Sequence, residues 1–235
     1  MLILGLETAT PWGSLALCED DQVILEVSLR AGRGGGEYLL SLLDSLLVKS
    51  GRQMEEIGLV AVGTGPGSYT GIRVGLAAAQ GLAAALGIKV VGINTLRIIA
   101  ENAALAAEWI APVIDARRGE IYAALYQNTA GDLLEVIAPE AVSAVKFRER
   151  LATLPKVMLV GDAAKAYAEI WNVAANLMIG PAAWNRPMAG QAGLIGGLLA
   201  KKSGQGQDPD QLRPAYLRRV EAEIRLEELQ RDRND

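Results

Sequence analysis

The stretch LVAVGTGPGSYTGIRVG, residues 59–75, decides how the chain is read. Leu59, Val60, Ala61 and Val62 form a short apolar run that predicts a buried strand, and the glycines behind it break that strand into a turn. Beyond Tyr69 the residues become small and apolar over a length that suits a helix, so a unit of strand, glycine corner and helix is expected. Glycine permits positive φ and close backbone approach at such a corner, and Ser68 and Thr70 are residue types that cap the first amides of a helix. A helix start of this kind can hold an anion through its N–H groups. The stretch is not a P-loop, because no lysine stands in the GK[ST] position, and it lacks the acidic follow-up of a dinucleotide fingerprint. A plain tight turn and a phosphate cradle built from Gly65, Gly67, Ser68 and Thr70 are both open readings.

Working outward, the same grammar occurs twice. Residues 2–6 are apolar, end in Glu7, turn through 8–13 and resume at 14–17 and 23–27. Residues 112–114 end in Asp115, turn through 116–119 and resume at 121–126 and 133–137. Each meander is followed by a helical stretch and a short strand ending in glycine, Gly63 in the first copy and Gly161 in the second. Two copies of one unit predict an α/β protein of two similar lobes with a cleft between them, against the alternative of a chance echo. The expected division is 1–105, 106–207, and a linker with a charged, helical tail over 208–235. Glu7 and Asp115 stand at matching places and are candidates for phosphate- or magnesium-directing carboxylates, or for turn caps at strand ends.

Two helices are apolar over more of their circumference than a one-sided surface helix needs. From Ile72 to Leu86 only Arg73 and Gln80 are strongly polar, and Gly71, Gly75, Ala78, Ala79, Leu82 and Ala85 share one arc of small residues. In the segment 37–50, Leu39, Leu40, Leu42, Leu43, Leu46 and Leu47 spread over roughly 160° of the wheel, against about 100° for a surface stripe. The excess width suggests one edge on the core and another on a partner; coverage by the rest of the same chain is the alternative.

Composition narrows the chemistry. With 235 residues and 51% hydrophobic content the chain has material for a large core. Asp and Glu number 27 against 23 Lys and Arg, so the net charge of -4 offers no general attraction to a nucleic-acid backbone. Arg117, Arg118, Arg213, Arg218 and Arg219 could touch RNA locally, or form ion pairs with Glu120 and Glu221. Cys18 is the single cysteine and histidine is absent, which removes intrachain disulfides, thiolate zinc clusters and every histidine-assisted nucleophile. The first residues lack the basic start of a secretory signal and no run approaches membrane-spanning length, so a cytoplasmic protein is expected.

The segments ILGLETAT (3–10), GTGPGSYTGIRVGLAAAQGLA (63–83), VIDARRGEIYAALY (113–126) and PAYLRR (214–219) together resemble the bacterial TsaB family, formerly called YeaZ. The resemblance implies an actin-like ATPase (ASKHA) fold of two duplicated RNase H-like lobes. It implies a non-catalytic paralogue of TsaD, the metal-holding subunit that makes threonylcarbamoyladenosine in ANN-decoding tRNA. A heterodimer with TsaD is expected, joined by the ATPase TsaE, as are a homodimer in isolation and only indirect contact with tRNA. The family's partner interface maps onto Leu39, Leu42, Leu43, Leu46, Gly71, Ile72, Gly75, Ala78, Ala79 and Leu82. No catalytic residue, metal or cofactor is assigned to the chain itself, with ATP or ADP left to the complex. One departure is the sequence Gly36-Glu37-Tyr38, where family members often carry a histidine. The alternative function is an ATPase or phosphotransferase using Glu7, Asp115 and the glycine corner.

Overall fold

Alternation along residues 2–7 sets the first layer: Leu2, Leu4 and Leu6 enter one core while Ile3 enters another, so the strand is buried on both faces. The computed structural model describes residues 1–30, 37–204 and 206–218. The first half runs β1 (Leu2–Glu7), β2 (Trp12–Glu19), β3 (Gln22–Arg30), α1 (Glu37–Ser50), β4 (Ile57–Gly63), α2 (Tyr69–Leu86), β5 (Lys89–Ile93) and α3 (Thr95–Glu101). The second runs β6 (Trp109–Arg117), β7 (Glu120–Thr129), β8 (Asp132–Ser143), α4 (Ala144–Leu151), β9 (Val157–Val160), α5 (Asp162–Ala166), α6 (Ala168–Trp171), β10 (Leu177–Ile179) and α7 (Ala189–Ser203).

Each half builds a five-stranded sheet, ordered β3-β2-β1-β4-β5 and β8-β7-β6-β9-β10. In both, a three-stranded antiparallel meander is extended by two parallel strands. The repeated grammar of the sequence is thus a repeated topology.

The helices are distributed less simply than their order suggests. Leu39, Leu43 and Leu46 of α1 and Ile72, Leu76 and Ala79 of α2 cover one face of the first sheet, each leucine contributing roughly 1.5–3 kcal/mol when fully buried. The opposite face is covered by α7, whose Ala189 and Ala192 pack with Ile3, Ala16, Cys18 and Ala61. In return α3, which follows β5, packs Leu96, Ile99 and Ala100 against Ile110, Ile114 and Tyr126 of the second sheet. The two halves therefore exchange their inner helices. A division at residue 105 separates the sheets but not the packing units.

The segment 206–218 returns over the first half. Val90 and Gln207 form an isolated antiparallel bridge, Leu212 enters the core beside α2, and the Gln80 amide donates to the carbonyls of Pro209 (2.9 Å) and Leu212 (3.4 Å). Ala215 N–H donates to Thr64, Tyr216 stacks on Tyr69 at 5.4 Å, and Arg218 reaches Glu120 of the second sheet at 3.5 Å. Residues 208–218 contain a short 3₁₀ turn (Pro209–Gln211) and a bend at 217–218, without a helix over 212–218; the rest of the expected helical tail, 219–235, lies outside the described residues. Among the described residues no helix is long and apolar enough to cross a membrane.

Candidate functional site

The glycine corner opens α2 as its residue types require. Ser68 is the N-cap, its hydroxyl accepting from the Gly71 amide, and the peptide bond between Gly65 and Pro66 is cis. Gly65 and Gly67 have φ of 99° and 156°. The turn between β1 and β2 lies directly on this corner. Ser68 N–H donates to the Ala9 carbonyl at 2.6 Å, and the Thr8 hydroxyl donates to the Gly71 carbonyl at 2.7 Å. A Cβ on Gly71 would strike the Thr8 carbonyl, and one on Gly75 would strike the Thr8 hydroxyl. The small-residue arc of α2 thus receives the chain's own turn at these two positions.

The wheel-derived surface divides accordingly. Leu39, Leu43, Leu46, Ile72 and Ala79 are at most 3% exposed, and Gly75 is buried under Thr8, so these six face inward. Leu42, Gly71, Ala78 and Leu82 are half-buried. The outer faces are carried instead by Leu40 and Val48 on α1, with Ala77, Gly81, Ala84 and Ala85 on α2. A helical wheel fixes the arc of apolar residues but not which part of it the sheet covers.

Sheet register separates the two carboxylates that looked equivalent. Leu6 pairs with Val62 before Gly63, and Pro112 pairs with Val160 before Gly161, so Glu7 corresponds to Val113 and Asp115 lies two residues further on. Glu7 is fully buried. Its Oε1 accepts from Ala9 N–H at 2.6 Å and its Oε2 from the Thr95 hydroxyl at 3.1 Å. Burial raises its pKa to about 7, opposed by the hydrogen bonds from Ala9, Thr95 and Thr8. Among the described residues two cavities lie between the halves, and Glu7 lines neither.

Asp115 does line the larger cavity, of about 610 Å3, together with Thr8, Thr10, Ser68, Thr70 and Asp162. Gly67 reaches it as well, whereas Gly65 is buried and bonded through its carbonyl to Thr95 N–H. Asp115 Oδ1 accepts from Arg117 N–H (2.8 Å) and from the Tyr167 hydroxyl (3.1 Å), and the Arg117 guanidinium lies 3.4 Å from Oδ2. Asp162 Oδ1 accepts from Asp115 N–H at 2.9 Å. Desolvation by the cleft walls, then the Asp115 charge, raise the Asp162 pKa. The result is a polar wall from the second half facing a helix start from the first. Asp162, Tyr167 and Thr8 were not singled out by the sequence reading; the acid directly behind Gly161 was the available signal for the first of them.

Among the described residues no group of three or more histidine, cysteine or carboxylate side chains is placed to hold a metal ion. Cys18 is buried, its thiol pushed up to about 12 first by burial and then by the Glu26 charge, which leaves little thiolate. Of the arginines considered for RNA, Arg117 pairs with Asp115 and Arg218 with Glu120; Arg219 and Glu221 lie outside the described residues.

The profile of the family "TsaD: tRNA N6-adenosine threonylcarbamoyltransferase" matches residues 30–226. The chain is 29% identical over 234 residues to the tRNA threonylcarbamoyladenosine biosynthesis protein TsaB of Bacillus subtilis, covering 98% of this chain and 100% of that one. It is 36% identical over 144 residues to the TsaB of Escherichia coli, covering 60% of this chain and 62% of that one. The solved structure of YeaZ from Pseudomonas aeruginosa superposes with a TM-score of 0.78 at 27% identity, covering 92% and 99% of the two chains. The fold extends to the activator of the 2-hydroxyisocaproyl-CoA dehydratase from Clostridium difficile, at 13% identity and a TM-score of 0.53 over 92% of this chain and all of that one. The architecture is the ASKHA, actin-like ATPase fold with two RNase H-like lobes.

Proposed function

Because the chain belongs to the TsaD family, and within it to TsaB or YeaZ, we propose that it serves tRNA threonylcarbamoyladenosine biosynthesis as a non-catalytic subunit that pairs with and activates TsaD. The alignment with a TsaB over the whole of that protein's length carries this reading. The sequence supports it further, since a chain without histidine has none to contribute to a histidine-held metal centre. Glu7, locked behind its own turn, is not placed to steer a phosphate in the cleft, which weighs against the ATPase alternative.

The surface offered to TsaD in this proposal is the outer face of α1 and α2. Leu40 is 64% and Val48 81% exposed, on either side of the exposed Asp44, and apolar side chains left this open gain by being covered. TsaE, and a homodimer of the free chain, belong to the same proposal, with tRNA contacted through the assembly. The test is reconstitution of tRNA modification from purified TsaD and its accessory proteins with and without this chain. Product formation should require the chain, and Leu40→Glu or Ala85→Glu should cut both TsaD pull-down and product about tenfold or more with unchanged circular dichroism. An unchanged rate without the chain would overturn the proposal. Retained pull-down by both variants would remove the α1 and α2 surface while leaving the subunit role standing.

A further inference from the structure

The second cavity between the halves, of about 570 Å3, has a different character from the cleft beside it. Arg30 at the end of β3, Lys165 on α5 and Arg186 all line it, against a single carboxylate, Asp162. Three cations and one anion leave two positive charges at this cavity, in a chain whose net charge is -4. Neither Arg30 nor Lys165 has an ion pair with another described residue. Glu26, outside the lining, also faces Arg186; its Oε1 is buried without a hydrogen-bond partner among the described residues, and the Ala189 N–H donates to the Ser14 hydroxyl instead. The floor is apolar, with Ile99 from α3 and Ile114 from β6.

The cationic side is held in place. The Arg186 guanidinium lies 4.4 Å over the Trp12 ring, a cation–π contact that fixes its orientation. The carbonyls of Trp184 and Arg186 accept from the Asn102 amide at 3.0 and 2.8 Å, and Asn185 Oδ1 accepts from Gly161 N–H at 3.0 Å. Both lobes thus clamp the turn that carries Arg186, and a site that needs no reordering binds with less entropic loss. The volume suits a small organic ligand, and walls from both halves exclude a broad polymer surface.

We propose that this cavity binds a small phosphate monoester, its phosphoryl group between Arg30, Lys165 and Arg186 and its apolar body on Ile99 and Ile114. A phosphate monoester carries about −1.5 to −2 charges at neutral pH, which complements a lining richer in cations than in carboxylates, and guanidinium groups recognise its oxygens by paired hydrogen bonds. A carboxylate supplies one charge and two oxygens, and so meets the site less completely.

The experiment titrates the full ¹⁵N-labelled chain with phenyl phosphate, inorganic phosphate, benzoate and phenol. Binding is followed by the Trp12 indole N–H resonance, assigned with Trp12→Phe. Phenyl phosphate should bind saturably and about tenfold or more tighter than each of the other three probes. The double variant Arg30→Gln/Lys165→Gln, changed only at exposed side chains, should weaken phenyl phosphate by about tenfold or more, whereas Arg117→Gln in the neighbouring cleft should stay within about twofold. Arg30→Lys, which keeps the charge, should retain most of the affinity and serves if the double variant misfolds. A linear, unsaturable shift overturns the proposal, as does equal binding of benzoate. So does equal binding of inorganic phosphate, or affinity that survives loss of both cations.

Discussion

The two halves solve one topological problem in opposite ways at the same corner. After β4 the first half makes a glycine turn and an 18-residue helix, and its β1 carboxylate, Glu7, is buried behind the turn. After β9 the second half makes a single glycine, Gly161, and a five-residue helix, and its carboxylates Asp115 and Asp162 open onto the cleft. The glycines also differ. At Gly63 a Cβ would meet the Glu7 side chain; at Gly161, with φ of 107°, it would meet the Val113 carbonyl. The two halves share the backbone path, while the first corner is packed structure and the second turns its polar groups toward the cleft.

That contrast can be broken at its most rigid point first. Gly161→Ala combines a left-handed backbone with a clash against main chain and should cost about 4 kcal/mol in urea unfolding, with no side-chain substitution restoring it. Next is Glu7. Its folded pKa of about 7 exceeds the unfolded 4.5, so the folded state holds the proton more tightly. The associated stability is complete below 4.5 and is lost as pH rises through 7, by on the order of 3 kcal/mol. Glu7→Gln should flatten this part of the dependence of the unfolding free energy on pH; a slope unchanged in the variant would show that Glu7 is not its source. The smallest effect concerns the Thr8 turn on α2. Gly75→Ala should cost about 2 kcal/mol, and in a Thr8→Ala background distinctly less, because removal of the hydroxyl clears the site. Additive costs would mean that Thr8 does not dictate the glycine.

Much of the architecture could be read from the chain. Apolar runs ending in Glu7 and Asp115, each with a meander behind it and a strand ending in glycine, foretold two similar lobes, and the two sheets share one strand order. What escaped was every relation that depends on distant segments. The two-residue offset between Glu7 and Asp115 is set by sheet register, which local pattern does not encode. The leucines of α1 announced burial, but their periodicity could not say that Leu39, Leu43 and Leu46 face the sheet while Leu40 and Val48 face out. Gly71 and Gly75 signalled close approach, yet the approaching group, Thr8, lies more than 60 residues upstream. The stacking of Arg186 on Trp12 joins residues with no sequence cue at all.

The exchange of inner helices has a consequence for synthesis on the ribosome. When β5 emerges, the first sheet has all its strands and α1 and α2 on one side, but its other side still shows Ile3, Ala16, Leu59 and Val91 to water. Ile98 of α3 joins this cluster early, but α7, which supplies most of the cover, begins at Ala189, almost a hundred residues later. The N-terminal sheet must therefore wait, half dressed, until nearly the whole chain has been made. Such a delayed long-range closure slows folding and lengthens the exposure of a sticky face.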